Sequence, residues 1–493
     1  INTDNLKEEE KRGMTINIGF AFLNKHITMI DVPGHEKFIK NMVTGVNAID
    51  YALLVIAADD GIMPQTIEHF EILKMLNIMD GSIIINKIDS VDNDWLDLVE
   101  KDIKEFVKGS FLEDKEVHKV SVINNIGLVD LKDFLINYNY NVNNIDSGIF
   151  RLFVDRTFVS KGFGSIVTGT VLSGKVSVGD KIKILPQNKE IKIRGLETHY
   201  NSVKELKMGD RCAINVQSTD KMIIKKGNHL SEKNFFTVYE SAIVSIKLIN
   251  KVNKTVKNNE RLRIYCGTQE VMGRIQFFNN KELNPGDECG ALLKFEKPLI
   301  LSIGDKFIIR RYSPLKTIGG GKILDFYIHK KWKDNKTYIL NIYSAQDEYS
   351  RLKIIIESRY NNPFTLISLG NYLNVSEDVL KLKIKKNDSI VLLDNVWILT
   401  NKQLNSIFVS IIEYFEKFHH QYPYKKGMIK DEIINSLSIK QDFLDIVLGT
   451  LIEKKEVRYS DNIWSKYDFS IKLSNSELNI MKEVFKLIND RKL

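Results

Sequence analysis

Two short polar motifs in the N-terminal part of the chain contain residue types that suit the binding of a nucleotide. The first, Asp31-Val-Pro-Gly-His35, follows the apolar run His26–Ile30, which predicts a strand that ends at a phosphate. Gly34 has no side chain, so its backbone N–H can approach a terminal phosphate closely. Asp31 is placed to hold the water shell of a phosphate-bound Mg²⁺.

The second motif, Asn86-Lys-Ile-Asp89, follows the apolar segment Ser82–Ile85. Asp89 can accept two N–H bonds from guanine, which is a charge-assisted contact. Asn86 can orient the loop, and the aliphatic stem of Lys87 can cover the base. Each motif alone is short, but the two together, each after a predicted strand, indicate a GTPase.

A phosphate-binding loop of the form G-x-x-x-x-G-K-[ST] should precede these motifs. No segment ahead of Arg12 supplies it. The nearest match, Gly169 to Val176, ends in Val where the Mg²⁺-binding hydroxyl belongs and lies between β-like segments, so we reject it. Since the chain also begins with Ile1, we expect a sequence truncated at its N-terminus that lacks the first strand and this loop.

Composition predicts a cytoplasmic protein of several domains. The chain has 493 residues, of which 43% are hydrophobic, and a prior of about 150 residues per domain gives three or four domains. No apolar run is long enough to span a bilayer and no secretory signal is visible, so we expect no membrane partner. A formal net charge of +8 favours a polyanionic partner.

The hydrophobic pattern predicts a multidomain fold: an incomplete α/β GTPase domain of the P-loop type, two β-barrels and C-terminal α+β winged-helix repeats. In the first domain, apolar strands alternate with helical periods, which indicates a parallel sheet. The predicted elements there are strand Tyr51–Ala57, helix Gln65–Leu76, strand Ser82–Ile85 and helix Trp95–Phe106. The predicted domains are residues 1–147, 148–239, 240–330 and 331–493.

The two central blocks are rich in β-branched residues and glycine, as small barrels with tight turns are. In the second block, the sequence predicts turns at Asn284–Asp287 and at Ile318–Gly321.

The C-terminal region contains an internal repeat. Asp394-Asn-Val-Trp397 and Asp461-Asn-Ile-Trp464 each follow a helix and a short polar β segment. Helices followed by a two-stranded ribbon predict winged helices, which commonly bind nucleic acid, at about residues 345–400 and 401–470. A third unit starts at Ser474–Asp490, so we expect truncation at the C-terminus as well. The alternative is a set of generic helical repeats for protein contacts.

Four segments together resemble the bacterial selenocysteine-specific elongation factors, which are translational GTPases similar to elongation factor Tu. They are Lys11-Arg-Gly-Met-Thr-Ile16, Asp31-Val-Pro-Gly-His-Glu-Lys-Phe38, Asn86-Lys-Ile-Asp89 and Asp155-Arg-Thr-Phe158. The resemblance covers nearly the whole chain. The features most specific to this family are the exact residues of the second segment and the helical C-terminal region.

This resemblance implies GTP and GDP as ligands, with Mg²⁺. By position, Thr15 would ligate Mg²⁺ and sense the γ-phosphate, and Gly34 would anchor the second switch. His35 would orient the hydrolytic water as the catalytic residue. Ser121 and Val122 fall at the family's base-contacting motif, where Val replaces the usual Ala.

The resemblance also implies a selenocysteine pocket on the first barrel, formed by Asp155, Arg156 and Arg211. A selenol is anionic at neutral pH, so its pocket should be cationic and partly dry. Arginine suits this role because it stays charged when desolvated, and Asp155 is placed to orient a guanidinium. The alternative is an ordinary ion pair on the barrel rim.

The implied function is delivery of selenocysteinyl-tRNA to the ribosome at recoded UGA codons, coupled to GTP hydrolysis. The winged helices would bind the mRNA selenocysteine-insertion hairpin. One rival is a general aminoacyl-tRNA or initiator-tRNA carrier, which would not need the helical tail. Another is a non-catalytic RNA-binding adaptor with a degenerate G domain, which the absent phosphate loop supports and the intact motif residues oppose.

Overall fold

The computed structural model describes most of the chain, in two compact units. The described residues are 17–35, 39–46, 49–140, 146–160, 164–217, 224–250, 254–278, 281–329, 331–359 and 362–490. The first unit consists of Ile1–Ser344 with Asn371–Val379, and the second of Ala345–Gly370 with Leu380–Leu493.

The first domain contains a β-hairpin and a separate parallel sheet. The hairpin strands β1 and β2 pair antiparallel, and β3, β4 and β5 form a parallel sheet in that order. The strands are β1 (Gly19–Phe22), β2 (Thr28–Asp31), β3 (Ala52–Ala57), β4 (Gly81–Asn86) and β5 (Val117–Lys119). The helices are α1 (Ile39–Val46), α2 (Pro64–Met75), α3 (Asn93–Val107) and α4 (Leu128–Asn137).

These elements follow the sequence pattern closely. The strand β4 is an apolar segment buried along nearly its whole length, as a parallel strand covered on both faces should be. Helix α3 begins where the Asp92 carboxylate caps the N–H of Trp95 at 2.8 Å. The predicted strands and helices of this domain are therefore confirmed, with ends that differ by a few residues.

The first β-barrel closes through six strands. The hydrogen-bonded order runs β10-β15-β6-β8-β14-β11, and β11 pairs with β10 to close the circle. Its strands are β6 (Arg151–Phe153), β7 (Arg156–Ser160), β8 (Gly164–Ser173), β9 (Lys175–Ser177), β10 (Lys181–Leu185), β11 (Lys189–Thr198), β12 (Asn201–Val203), β13 (Glu205–Lys207), β14 (Arg211–Gln217) and β15 (His229–Ser231). The rejected match at Gly169 to Val176 lies in β8 and β9, and not at the start of a helix.

The second barrel is closed by β16, β21, β19, β18, β22 and β23. Its strands are β16 (Thr237–Leu248), β17 (Val256–Lys257), β18 (Arg261–Cys266), β19 (Gln269–Phe277), β20 (Glu282–Leu283), β21 (Glu288–Leu301), β22 (Lys306–Arg310) and β23 (Thr317–Asp325). The predicted turn at Asn284–Asp287 is confirmed, with Gly286 at φ 84°.

The predicted turn at Ile318–Gly321 is wrong, because these residues lie inside strand β23. Three glycines are needed there for close approach and not for a turn. A Cβ on Gly319, Gly320 or Gly321 would lie 2.3, 2.5 or 1.8 Å from a backbone oxygen of a neighbouring strand. The absence of side chains therefore lets these strands pack tightly across the barrel.

A buried ion pair joins the two barrels. Both terminal nitrogens of Arg151 donate to the Asp305 carboxylate at 2.7 Å. The guanidinium also lies over the rings of Phe153 and Phe236, at 4.6 and 4.7 Å. Because a bidentate pair has a fixed geometry, this contact sets the orientation of one barrel on the other.

Two groups of helices, each followed by an antiparallel hairpin, make up most of the second unit, and a third short strand pairs with the first hairpin. The helices after the barrels are α5 (Trp332–Ser344), α6 (Glu348–Glu357), α7 (Leu366–Leu373), α8 (Glu377–Lys385), α9 (Asn401–Gln421), α10 (Lys430–Leu437), α11 (Gln441–Glu453) and α12 (Asn475–Asp490). The strands are β24 (Phe364–Thr365), β25 (Ile390–Leu393), β26 (Trp397–Thr400), β27 (Val457–Ser460) and β28 (Ile463–Lys466).

The repeated motifs form the tips of these hairpins. Asp394 and Asn395 have φ of 50° and 54°, and Asp461 and Asn462 have φ of 54° and 63°. Asp and Asn tolerate this left-handed conformation, which tight hairpin turns require. The predicted fold class, with a GTPase-type domain, two barrels and winged-helix units, is therefore confirmed.

Within the described ranges, no helix combines the length and the apolar character needed to cross a membrane.

Candidate functional site

The residues predicted to bind guanine lie at the carboxyl ends of β4 and β5. These neighbouring parallel strands bring the Asn86–Asp89 loop next to Ser121. The hydroxyl of the fully buried Ser121 donates to the carboxylate of Asp89. Ligands of open α/β sheets bind at this edge, so the contact places Asp89 where a base could be bound.

The backbone of this loop is held by its own side chains. Asn86 Oδ1 accepts from the N–H of Lys87 at 2.8 Å, and Ser90 Oγ donates to the Lys87 carbonyl at 2.6 Å. Lys87 has φ 59°, a left-handed conformation that is uncommon for a residue with a side chain. Such strain persists only where the surroundings impose it, and it is concentrated at functional sites.

The Lys87 ammonium is bound by a carboxylate that the sequence analysis did not identify. Its Nζ donates to Asp59 at 2.9 and 3.1 Å, and Asp60 lies 3.8 Å away. This hydrogen bond lowers the pKa of Asp59 and raises that of Lys87. The aliphatic stem of Lys87 therefore extends towards the loop after β3, which contains Asp59.

Ser121 and Val122 differ in exposure. Ser121 Oγ accepts from the N–H of Asn124 at 3.1 Å, and the Ser121 backbone bridges to Ile126. Val122 is 59% exposed, so its side chain is accessible at the edge of the site. Because the Val122 side chain is exposed, the larger Val can replace the family's Ala without a steric clash with the described residues.

The motif Asp31–His35 continues from strand β2. Asp31 is the last residue of that strand and pairs with Gly19 across the hairpin. Among the described residues, a Cβ at Gly34 would meet no atom within 4 Å, and the Gly34 backbone is exposed. His35 is half-buried in the following loop, whereas Thr15, the predicted Mg²⁺ ligand, lies outside the described residues.

The three residues of the predicted pocket on the first barrel come together in the structure. Arg211 binds the Asp155 carboxylate with both terminal nitrogens, and each side chain is 9% exposed. Thr168 Oγ1 donates to Asp155 Oδ1 at 2.7 Å and completes the support of that carboxylate. The pair is thus buried, which is unlike the solvated ion pair of an ordinary barrel rim.

The hairpin strand β1 of the first domain also contacts these arginines. Arg156 donates to the carbonyl of Ile18, and the Phe20 ring lies 3.7 Å from the Arg211 guanidinium carbon and 5.6 Å from that of Arg156. The Phe20 face removes water from the cations and attracts them. Sequence patterns gave no signal for Ile18 and Phe20, because this contact joins two domains.

The cluster of Asp155, Arg156 and Arg211 is therefore cationic and partly buried. Arg211 is paired with the Asp155 carboxylate, and the Arg156 guanidinium lies near the same Phe20 ring, so the three residues together carry a net positive charge. A buried arginine remains charged, whereas a lysine would shift its pKa readily. This arrangement can bind a small anionic group.

An α/β domain followed by two closed barrels is typical of one class of proteins, and comparison with known families identifies it. Residues 1–141 match the elongation factor Tu GTP-binding domain, and residues 164–231 match elongation factor Tu domain 2. The chain is therefore a translational GTPase of the elongation factor Tu type, a class that binds guanine nucleotide and hydrolyses GTP.

Further matches give the particular family. Residues 243–330 match the β-barrel domain of the selenocysteine-specific elongation factor, and residues 412–465 match the winged helix of elongation factor SelB. The selenocysteine-specific elongation factor of Desulfomicrobium baculatum is 32% identical over 450 residues, which are 88% of this chain and 70% of that protein. That of Haemophilus influenzae is 27% identical over 89% of this chain and 70% of that protein.

A solved structure agrees on the fold. The crystal structure of a bacterial selenocysteine-specific elongation factor superposes with a TM-score of 0.76 at 24% identity, over 100% of this chain and 79% of that chain. The chain belongs to the selenocysteine-specific elongation factors.

Proposed function

We propose that this chain delivers selenocysteinyl-tRNA to the ribosome at recoded UGA codons and hydrolyses GTP in doing so. The observation that carries this proposal is the buried cationic cluster of Asp155, Arg156 and Arg211 on the first barrel. Relatives named as selenocysteine-specific elongation factors support it.

The chemistry of the aminoacyl group explains why such a cluster would select selenocysteine. Serine and selenocysteine differ in one atom, and only the selenol is ionised near neutral pH. In a partly dry pocket, a guanidinium interacts more strongly with an anion than it would in water. The neutral serine hydroxyl gains much less, so a direct charge-assisted contact with the guanidinium groups of Arg211 and Arg156 favours the selenolate.

The base of GTP or GDP is proposed to bind at the ends of β4 and β5. The residues proposed to contact it are Asn86, Lys87, Asp89, Ser121 and Val122. The contact of Ser121 with Asp89 supports this assignment, since it fixes the carboxylate that would accept from the guanine N–H groups.

Asp31, Gly34 and His35 are proposed to act at the terminal phosphate. The carboxylate of Asp31 suits Mg²⁺, a hard cation that would be held there through water, with Thr15 as a further ligand. His35 would orient the attacking water, and the exposed backbone of Gly34 would be accessible to a phosphate.

We also propose the ribosome and an mRNA hairpin as partners. The ribosome would stimulate hydrolysis, and the winged helices would contact the mRNA selenocysteine-insertion hairpin, since such units commonly bind nucleic acid. We place the domain ends at about residues 147, 239 and 330, and the protein in the cytoplasm.

Removing the guanidinium of Arg211 should remove its contribution to the preference for selenium. Because Arg211→Met alone would leave a buried carboxylate unpaired, the variant to test combines it with Asp155→Asn. A charge-assisted contact in a partly desolvated pocket corresponds to roughly a ten- to more than hundredfold difference in affinity. We expect the double variant to lose that factor for selenocysteinyl-tRNA and to bind seryl-tRNA almost as the parent does.

The matched control is Arg194→Met, an exposed arginine on the same barrel. Both aminoacyl-tRNAs are titrated in the full-length protein at one salt concentration, since tRNA backbone contacts make absolute affinities salt-dependent. Unchanged seryl-tRNA binding shows that the double variant is folded. If the double variant keeps the parent's preference, Asp155 and Arg211 do not form the selenocysteine pocket.

A further inference from the structure

The hairpin of β11 and β12 in the first barrel presents a tyrosine to solvent. The two strands pair Thr198 with Asn201, so His199 and Tyr200 are the two residues of the turn. Tyr200 is 88% exposed. A single exposed aromatic residue is ordinary on a protein surface. The conformation and the surroundings of this one are what indicate a function.

The backbone of this turn lies in an unfavourable region. His199 and Tyr200 have φ of 51° and 62°. Two-residue turns of this kind favour asparagine and glycine, because a bulky side chain in the left-handed region costs energy. Strain of this kind is concentrated at functional sites. The turn therefore holds an aromatic side chain where asparagine or glycine would be less strained.

The ring of Tyr200 is supported by the first domain. The Phe22 ring of strand β1 lies 5.3 Å from it, edge to face, and 4.3 Å from the ring of His199. Aromatic pairs of this geometry attract each other beyond the area that they bury. Asn201 Nδ2 also donates to the His199 carbonyl at 2.9 Å, which fixes the turn. Because Tyr200 stays 88% exposed, these contacts orient its ring without covering it.

This turn lies next to the cationic cluster on the first barrel. Thr198 Oγ1, directly before the turn, donates to the Arg211 carbonyl at 2.8 Å. Phe20 and Phe22 lie two residues apart on β1, so they share one face of that strand at a spacing of about 7 Å. Phe20 lies on Arg211, and Phe22 lies against the turn. The exposed ring and the cationic cluster are therefore neighbours along β1.

We propose that Tyr200 binds the single-stranded 3′ end of the tRNA by stacking on one of its last bases. This inference rests on the proposed function, in which the aminoacyl group occupies the cationic cluster. That group is esterified to the terminal ribose, so the last bases of the tRNA lie close to the cluster. Proteins bind unpaired nucleotides by stacking them on aromatic side chains. Tyr200 therefore adds affinity for the tRNA end and does not distinguish selenium from oxygen.

A matched pair of variants separates stacking from the other properties of this side chain. Tyr200→Phe keeps an aromatic ring, whereas Tyr200→Leu keeps only an apolar side chain. Stacking of one base corresponds to roughly a five- to hundredfold difference in affinity. In the full-length protein with GTP at fixed salt, we expect Tyr200→Leu to bind seryl-tRNA and selenocysteinyl-tRNA more weakly by the same factor. Tyr200→Phe should bind both as the parent does.

A fluorescent base at the 3′ end of the tRNA tests the contact itself. The probes are 2-aminopurine in place of the terminal adenine and pyrrolocytosine in place of the preceding cytosine, since the emission of each changes on stacking. We expect at least one probe to give the same emission with Tyr200→Phe as with the parent, and a different emission with Tyr200→Leu. Unchanged GDP affinity shows that Tyr200→Leu, a substitution at an exposed position, is folded.

Equal tRNA affinities of Tyr200→Leu and Tyr200→Phe, or equal emission of both probes in the two variants, would overturn the inference. So would a loss in Tyr200→Leu that affects selenocysteinyl-tRNA alone, because stacking is common to both ligands. The proposed function fails by a different result, namely a parent protein that binds the two aminoacyl-tRNAs equally.

Discussion

His35→Ala should slow ribosome-stimulated GTP hydrolysis by about 100- to 10,000-fold, the usual cost of losing one group that positions a reacting proton or water. Nucleotide affinity should stay nearly constant, because the imidazole orients water and does not hold phosphate. The residue lies in the loop after β2, next to the exposed backbone of Gly34. Single-turnover hydrolysis with saturating ribosomes measures the effect without a contribution from product release.

His26→Ala is the matched control for this variant. His26 is exposed in the turn of the β1–β2 hairpin, in the same domain but away from the proposed phosphate site. It should leave both hydrolysis and binding unchanged. Equal single-turnover rates for His35→Ala and the parent would show that His35 has no part in the mechanism.

Asp89→Asn should weaken guanine nucleotide binding by about 2–4 kcal/mol, or roughly 30- to 1,000-fold, because a buried bidentate contact to a charged acceptor is lost. The new amide can donate to the 2-oxo group of xanthine, so XTP and XDP should bind better than they do to the parent. The carboxylate that is changed is the one to which Ser121 donates. Competition titrations with GDP, XDP and ADP measure the change of preference.

Asp97→Asn provides the same chemical change on the exposed face of helix α3 in this domain. We expect it to bind guanine and xanthine nucleotides as the parent does. Unaltered guanine affinity in Asp89→Asn would show that the Asn86–Asp89 loop does not recognise the base.

The first domain could be predicted well from sequence because its signals are local. The strand Ala52–Ala57, the helix Pro64–Met75 and the loop after β4 each follow from a run of adjacent residues. The proximity of Asp89 and Ser121 also follows, since parallel neighbouring strands end at one edge of a sheet. By the same argument Asp59, which follows β3, could have been expected near Lys87.

Contacts between domains could not be predicted in this way. Nothing in the local pattern around Phe20 shows that its ring lies on Arg211, a residue far along the chain in another domain. The run Gly319–Gly321 favours a turn by its composition. It lies in a strand because neighbouring backbone oxygens of the closed barrel leave no room for a Cβ. Tertiary packing decided both cases.

The central claim is that the pocket of Asp155, Arg156 and Arg211 selects a selenolate. The most direct measurement is the ratio of dissociation constants of the unaltered full-length protein, with GTP, for one tRNA charged with selenocysteine or with serine. Contacts to the tRNA backbone are common to both ligands and cancel in this ratio at fixed salt. The proposed pocket predicts at least about tenfold tighter binding of selenocysteinyl-tRNA. Equal affinities would contradict the claim and would favour a general tRNA carrier.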